Sequence, residues 1–320
     1  MKWSKKLNDG EILGVSQGQF MRRTLWPVAS TYLKKRHFKY LLLLSVLVFA
    51  PILRELIFGI FSHHHLPFAT TEDIIHTLIE VAFMVSLGCL LIFLDIKIMK
   101  EKRFELKMTQ TVAIEALASL AEYRDAETAE HLLRIRAFIE ILTESLKESR
   151  YGRYIMCQDG YIEDLMNASV LHDIGKIAVP DAILIKPGRL TEEEFETIKR
   201  HTILGSEILL AADNQFRKRV GKQSYLTLAQ SIAESHHEKW DGSGYPHGLA
   251  GEEIPLSARI VALCDVYDAV TSDRVYKKAW PHDQAVDYIE QESGRHFDPI
   301  LVETFLKVAP LFEKAKQAIN

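Results

Sequence analysis

The side chains with the clearest chemistry in this chain are histidines and acids set into apolar surroundings. His172 and Asp173 stand side by side in "SVLHDIGKI", with Lys176 one turn on. An unpaired charge is costly to bury, so such groups persist either as ion pairs or as metal ligands. The dipeptide alone does not choose between a structural pair and a ligand pair. Other stretches supply more donors. Glu127 and His131 in "RDAETAEHLLRI" are four residues apart, hence on one helical face, a spacing that lets two side chains reach one ion. His201 lies in "EEEFETIKRHTILGSEIL", His236 and His237 are adjacent, and Asp265 sits in "ARIVALCDVYDAV". Imidazole with carboxylate suits zinc, manganese or iron. Eight donors are too many for one ion, but a carboxylate such as Asp173 can bridge two. A hydroxide between two metals is a ready nucleophile for phosphoryl chemistry.

Local signals say how these residues are carried. Pro187-Gly188 marks a turn, and Thr191 with Glu194 forms a capping box that opens the His201 helix. The stretch "WDGSGYPHGLAGEEIP" reads as a loop, and Pro255 stands close to the start of the helix bearing Asp265. Gly294 reads as a helix stop, and Asp298-Pro299 as an N-cap followed by a first helical residue. Residues 213–226, "DNQFRKRVGKQSYL", read as a surface loop between His201 and His236. No run of strand-like alternation stands out. The fold class expected is all-α, a helical bundle whose ligands come from several helices.

The first third is different. Residues 38–61 and 74–96 are each long and apolar enough to span a bilayer. Lys and Arg flank the pair on both outer sides, while the connection "SHHHLPFATTED" has neither, so both termini are expected on the cytoplasmic face. Its histidines, His63 to His65, read as a polar loop. Arg54 and Glu80 reach similar depths in antiparallel helices and are expected to pair, with Glu55 and His76 nearby. Residues 97–121 read as a helical connector with a weak heptad pattern that allows a homodimer. The expected order is a basic segment 1–37, a two-span transmembrane hairpin 38–96, the connector, and a metal-binding domain 122–320. The net charge of −4 does not suggest duplex nucleic acid as a partner. Three cysteines, Cys89, Cys157 and Cys264, are too scattered for a disulfide framework or a thiolate site.

"HDIGK", "KPGRLTEEEF", "HHEKWDGSGYP", "GLAGEEIPLSARIVALCDVYDAVTSDRVYKKA" and "HFDP" together resemble the HD-GYP domain of the HD phosphohydrolase superfamily, over roughly residues 110–309. That resemblance implies an HD-type helical bundle and a cyclic di-GMP phosphodiesterase yielding pGpG, GMP or both. It implies two or three divalent ions, iron or manganese, held by His172, Asp173, His201, His236, His237 and Asp265. Glu127 and His131 match the additional ligands of three-metal members. Lys176 matches a lysine beside the metals suspected of proton transfer or charge stabilisation. Asp125 matches a carboxylate behind the ligands. Arg274 and Lys277 match residues that hold substrate phosphates, and Tyr245 one that lines the site. The implied protein is an inner-membrane, multi-pass enzyme with its catalytic domain in the cytoplasm. A silent cyclic di-GMP receptor or scaffold, and an HD hydrolase of another nucleotide such as cyclic GMP-AMP, remain alternative readings.

Overall fold

A computed structural model of the chain describes residues 71–122, 129–273 and 278–319. Helices account for most of it. Among the described residues there are two isolated β-bridges, Asp241 with Ala250 and Ser293 with Phe297, and no longer strand. The expected first span, with Arg54 and Glu55, lies outside the described residues, as do Asp125, Glu127, Arg274 and Lys277.

Helix α1, Thr71–Glu122, runs for 52 residues and merges the expected second span with the connector. No Gly or Pro interrupts it beyond Gly88, which a helix tolerates at a cost of about 1 kcal/mol. Its stretch Leu78–Ser119 is long and apolar enough to cross a membrane, and almost none of that apolar window is buried. Phe83, Phe93 and Leu78 are each more than 60% exposed.

The compact unit that begins at Leu106 is a helical bundle. Near the end of α1, Ile114 and Ala118, one turn apart, pack into the bundle core. Helix α2, Ala129–Leu146, follows. Its Leu132, Ile135, Phe138, Ile139, Leu142 and Leu146 recur at helical spacing and are all at most 1% exposed. Each such side chain contributes about 1.5–3 kcal/mol by leaving water. After the short α3, Gly152–Met156, comes α4, Tyr161–Ser169, and then a 3-10 helix, Ile174–Ala178. His172 and Asp173 thus stand in the turn between these elements, not inside a helix as an apolar run suggests. Gly175 is the reason. A Cβ there would lie 1.9 Å from the His201 carbonyl oxygen, so only glycine lets this turn press against the next donor helix.

Helices α5, Asp181–Leu184, and α6, Glu192–Lys199, lead to α7, His201–Val220. The capping box is formed, but it opens α6 and not the helix that carries His201, which starts separately after Arg200. The Thr191 hydroxyl accepts from the Glu194 N–H, and the Glu194 carboxylate accepts from the Thr191 N–H at 2.8 Å. The loop expected over 213–226 is a correction. Helix α7 continues to Val220, and only the residues from Gly221, with φ +78°, to Tyr225 connect it to α8, Leu226–Ser235. Asp213 is buried and accepts hydrogen bonds from Ser224 and Thr227, so this acid locks the junction.

Helix α9, Leu256–Thr271, is the central rod and is buried on most of its circumference. It packs against α2, α8, α10 (His282–Gln291) and α11 (Pro299–Ile319). Pro255 is its N-cap, and Pro299 is the first residue of α11, as their positions in the sequence suggest. Phe138, Tyr267, Phe305 and Phe312 form the aromatic centre, with Phe138 and Phe312 stacked at 4.7 Å.

Candidate metal centre

Five segments of the bundle aim donors at one another. His131 comes from α2, His172 and Asp173 from the turn after α4, His201 from the start of α7, His236 and His237 from the end of α8, and Asp265 from α9. They fall into two groups, each with one donor atom per residue within 4.8 Å of the others. Asp173, His201, His236 and His237 form one; His131, His172 and Asp265 form the other. The sequence neighbours His172 and Asp173 belong to different groups, and their nearest side-chain atoms are 3.3 Å apart. Of the eight donors read from the sequence, seven are brought together here, and Glu127 lies outside the described residues.

Ring orientation follows from what each Nδ1 touches. His172 Nδ1 lies 2.8 Å from the Ser169 carbonyl, His201 Nδ1 2.7 Å from that of Ile198, and His236 Nδ1 3.0 Å from that of Ile232. A carbonyl only accepts, so each Nδ1 carries a hydrogen and Nε2 is left as the atom that can bind a cation. Those Nε2 atoms point inward. His201 Nε2 is 3.1 Å and His236 Nε2 3.6 Å from Asp173 Oδ1, with no well-formed hydrogen bond at either ring atom. Buried polar atoms normally find partners, so lone pairs gathered round a carboxylate fit a divalent cation.

His131 is held differently. Its Nδ1 lies 2.7 Å from Asp268 Oδ2, and its Nε2 lies 3.7 Å from Asp265 Oδ1. Asp268 also accepts from Arg134 Nε at 2.6 Å and Nη2 at 2.9 Å. Asp268 and Arg134 were not among the residues read from the sequence. The signal was spacing: Asp268 follows Asp265, and Arg134 follows His131, by three residues on a helix.

Electrostatics prepare these groups for a cation. Burial pushes the His236 and His237 imidazoles below their ordinary pKa, His237 far below, so both are neutral ligands. Burial alone would raise the Asp173 carboxyl, but Lys176, His172 and His201 outweigh it and hold it well below the usual range. Lys176 Nζ is 2.8 Å from Asp173 Oδ2. Burial likewise opposes ionisation of Asp268, yet hydrogen bonds from His131 and Arg134 bring it down to about 2.

The glycine-rich loop folds back over one group. Glu238 is buried and accepts from the His247 N–H at 2.7 Å and the Leu249 N–H at 3.1 Å. Trp240 and Asp241 donate their N–H groups to the carbonyls of His296 and Arg295. Tyr245 is thereby stacked on the His237 ring at 4.7 Å, and the Lys199 ammonium lies 5.5 Å from the Tyr245 ring centre.

Residues 150–301 match the HD domain family. This match takes in His172, Asp173, His201, His236, His237 and Asp265, and begins after His131. The chain is 47% identical over 209 residues to a cyclic di-GMP phosphodiesterase of Vibrio cholerae, covering 65% of this chain and 41% of that protein. It is 40% identical over 203 residues to the cyclic di-GMP phosphodiesterase response regulator RpfG of Xanthomonas campestris, covering 63% and 49%. It is also 38% identical over 230 residues to the 3'3'-cGAMP-specific phosphodiesterase 2 of Vibrio cholerae, covering 72% and 39%. The chain therefore spans less than half the length of each of these relatives.

Proposed function

We propose that this chain is a metal-dependent phosphodiesterase of the HD-GYP type that hydrolyses cyclic di-GMP. The observation that carries the reading is the pair of donor groups divided at the His172–Asp173 bond, with buried Nε2 atoms gathered round Asp173. Asp173, His201, His236 and His237 would hold one ion. His131, His172 and Asp265 would hold a second, and Glu127 would extend this group toward a third. The donor set suits iron or manganese. Divalent ions held there would supply Lewis-acid charge to the phosphate and lower the pKa of water, making it a nucleophile near neutral pH.

The chain's own residues do the rest. Asp173, ionised beside Lys176, supplies negative charge between the two groups, and the Lys176 ammonium stands ready to stabilise the phosphoryl charge or move a proton. Arg274 and Lys277 hold the substrate phosphates through charge-assisted hydrogen bonds. Tyr245, stacked on His237, lines the site, and Asp125 is assigned the part of a carboxylate that supports the ligands. Water oxygen forms the new bond to phosphorus and gives up a proton as the bond to the ribose 3′ oxygen breaks and that oxygen takes up a proton, opening the ring to pGpG. Repetition of the step gives GMP. The exposed apolar stretch of α1 supports a membrane anchor, completed by the span 38–61, with the catalytic domain on the cytoplasmic face of the inner membrane and the connector available for a homodimer.

A second reading, cyclic GMP-AMP as substrate, is favoured by the 38% identity to a cGAMP-specific enzyme. One experiment separates the readings. The full chain in detergent, loaded with manganese or iron, is given each labelled cyclic dinucleotide and its products are resolved by chromatography. Faster turnover of cyclic di-GMP supports the proposal, and preference for cyclic GMP-AMP selects the second reading. Tight binding of cyclic di-GMP without turnover would make the chain a receptor.

A further inference from the structure

We propose that Asp268 is a positioning residue that fixes the His131 ring and thereby sets cation binding at the His131–His172–Asp265 group alone. The proposal rests on the metal-binding reading above and adds to it a residue that decides which of two groups is filled. Helix α2 presents His131 and Arg134 one turn apart; helix α9 presents Asp265 and Asp268 one turn apart. The two pairs face each other as rungs. The imidazole of His131 lies between the carboxylates, with Asp268 Oδ2 2.7 Å from Nδ1 and Asp265 Oδ1 3.7 Å from Nε2.

Asp268 is 1% exposed, so its charge needs compensation inside the bundle. Arg134 supplies it with two parallel hydrogen bonds, the bidentate geometry that holds a carboxylate in one orientation. Ser272 and Lys316 complete the frame. Arg134 Nη2 reaches Ser272 Oγ at 3.3 Å, and Lys316 Nζ donates to Thr271 Oγ1 at 2.8 Å and Ser272 Oγ at 2.7 Å. An ionised carboxylate clamped in this way can only accept from His131, so Nδ1 keeps its hydrogen and Nε2 keeps its lone pair toward Asp265.

Selectivity follows from how the other rings are held. His172, His201 and His236 take their orientation from backbone carbonyls of their own segments, which a change at Asp268 does not move. His131 takes its orientation from a side chain 137 residues away. Loss of an outer partner of this kind typically weakens metal binding about 10–100-fold.

The test uses the full chain in detergent, stripped of metal and titrated with manganese(II) by calorimetry, with histidine ring nitrogens followed by NMR. His131→Gln and His237→Gln mark which class of sites each group provides. Asp268→Asn is expected to weaken only the class lost in His131→Gln, by about 10–100-fold, and to let the His131 hydrogen redistribute between Nδ1 and Nε2. Arg134→Gln keeps the carboxylate and loosens its clamp. It should weaken the same class less, with Nδ1 still protonated, and it serves if Asp268→Asn does not fold. Unchanged affinities with an unchanged ring, or equal losses in both classes, would overturn the proposal. Should wild type bind no manganese, the metal reading falls and this one with it. Manganese binding to wild type that Asp268→Asn and Arg134→Gln leave untouched sinks only the positioning role.

Discussion

The two donor groups are built from the same residue types and are anchored by different means. Around Asp173, His201 and His236 are held by backbone carbonyls, and Asp173 itself is paired with Lys176 three residues on. Around Asp265, His131 is held by a carboxylate from a distant helix, itself held by an arginine. Local anchors form whenever their own turn forms. Remote anchors form only when α2 and α9 have packed. The ring orientations of the first group, and of His172 in the second, are therefore set by local geometry, whereas that of His131 reports on the integrity of the bundle.

Asp173→Ala should break both groups at once, because this carboxylate stands between them. Metal content and turnover should fall together, turnover by on the order of a thousandfold, about 4 kcal/mol in the barrier. Bound metal and product formation measured on one preparation decide it. Full metal load with full activity would end the reading of the site.

Gly175→Ala probes the turn that carries one donor of each group, His172 and Asp173. Its new Cβ would meet the His201 carbonyl oxygen at 1.9 Å, so the turn must move away from α7. Overpacking of this kind costs about 1–3 kcal/mol or more. Thermal unfolding should shift down, and manganese affinity should drop in both classes, because the displaced turn carries Asp173 of the His201 group and His172 of the His131 group. An unchanged melting temperature would show that this turn does not pack on α7.

Arg274→Ala and Lys277→Ala should leave both groups loaded. Each removes one charge-assisted contact to a phosphate, about 1.5–3 kcal/mol, which is roughly tenfold or more in kcat/KM. A variant that lost metal instead would move its residue from substrate grip to the metal centre.

The same contrast explains what the sequence reveals. His172–Asp173, His236–His237, the Thr191 capping box and the proline-marked helix starts are legible because each feature and its cause lie within a few residues. Asp268 and Arg134 are not, because their meaning lies in partners 134 or more residues away. Glu238 hides for a related reason: its role is to hold backbone N–H groups of a loop that has no shape until it folds. The stretch 213–226 reads as a loop inserted between His201 and His236, yet Arg217, Lys218 and Arg219 form the basic last turn of α7, and the buried Asp213 accepts hydrogen bonds from Ser224 and Thr227. The α1 helix is the opposite case. Its apolar window is plain in the sequence and almost wholly exposed among the described residues, so length and composition are what support a membrane role.

The anchors should also differ in acid. Backbone carbonyls do not titrate, whereas the anchor of His131 does. Asp268 has an ordinary value of 3.8 that its hydrogen bonds to His131 and Arg134, working against burial, lower to about 2 in the folded chain. A depressed carboxylate stabilises the fold fully above its unfolded pKa, and that contribution is lost as pH falls through the folded one. For Asp268 the loss should run from about pH 4 downward through pH 2 and amount to on the order of 2 kcal/mol. The measurement is denaturant unfolding of metal-free wild type and Asp268→Asn across this range. Wild type should lose more stability than the variant by that margin, with the two curves converging toward low pH. Parallel curves would mean that Asp268 carries no depressed charge in the native bundle, and the contrast between a local and a remote anchor would then rest on geometry alone.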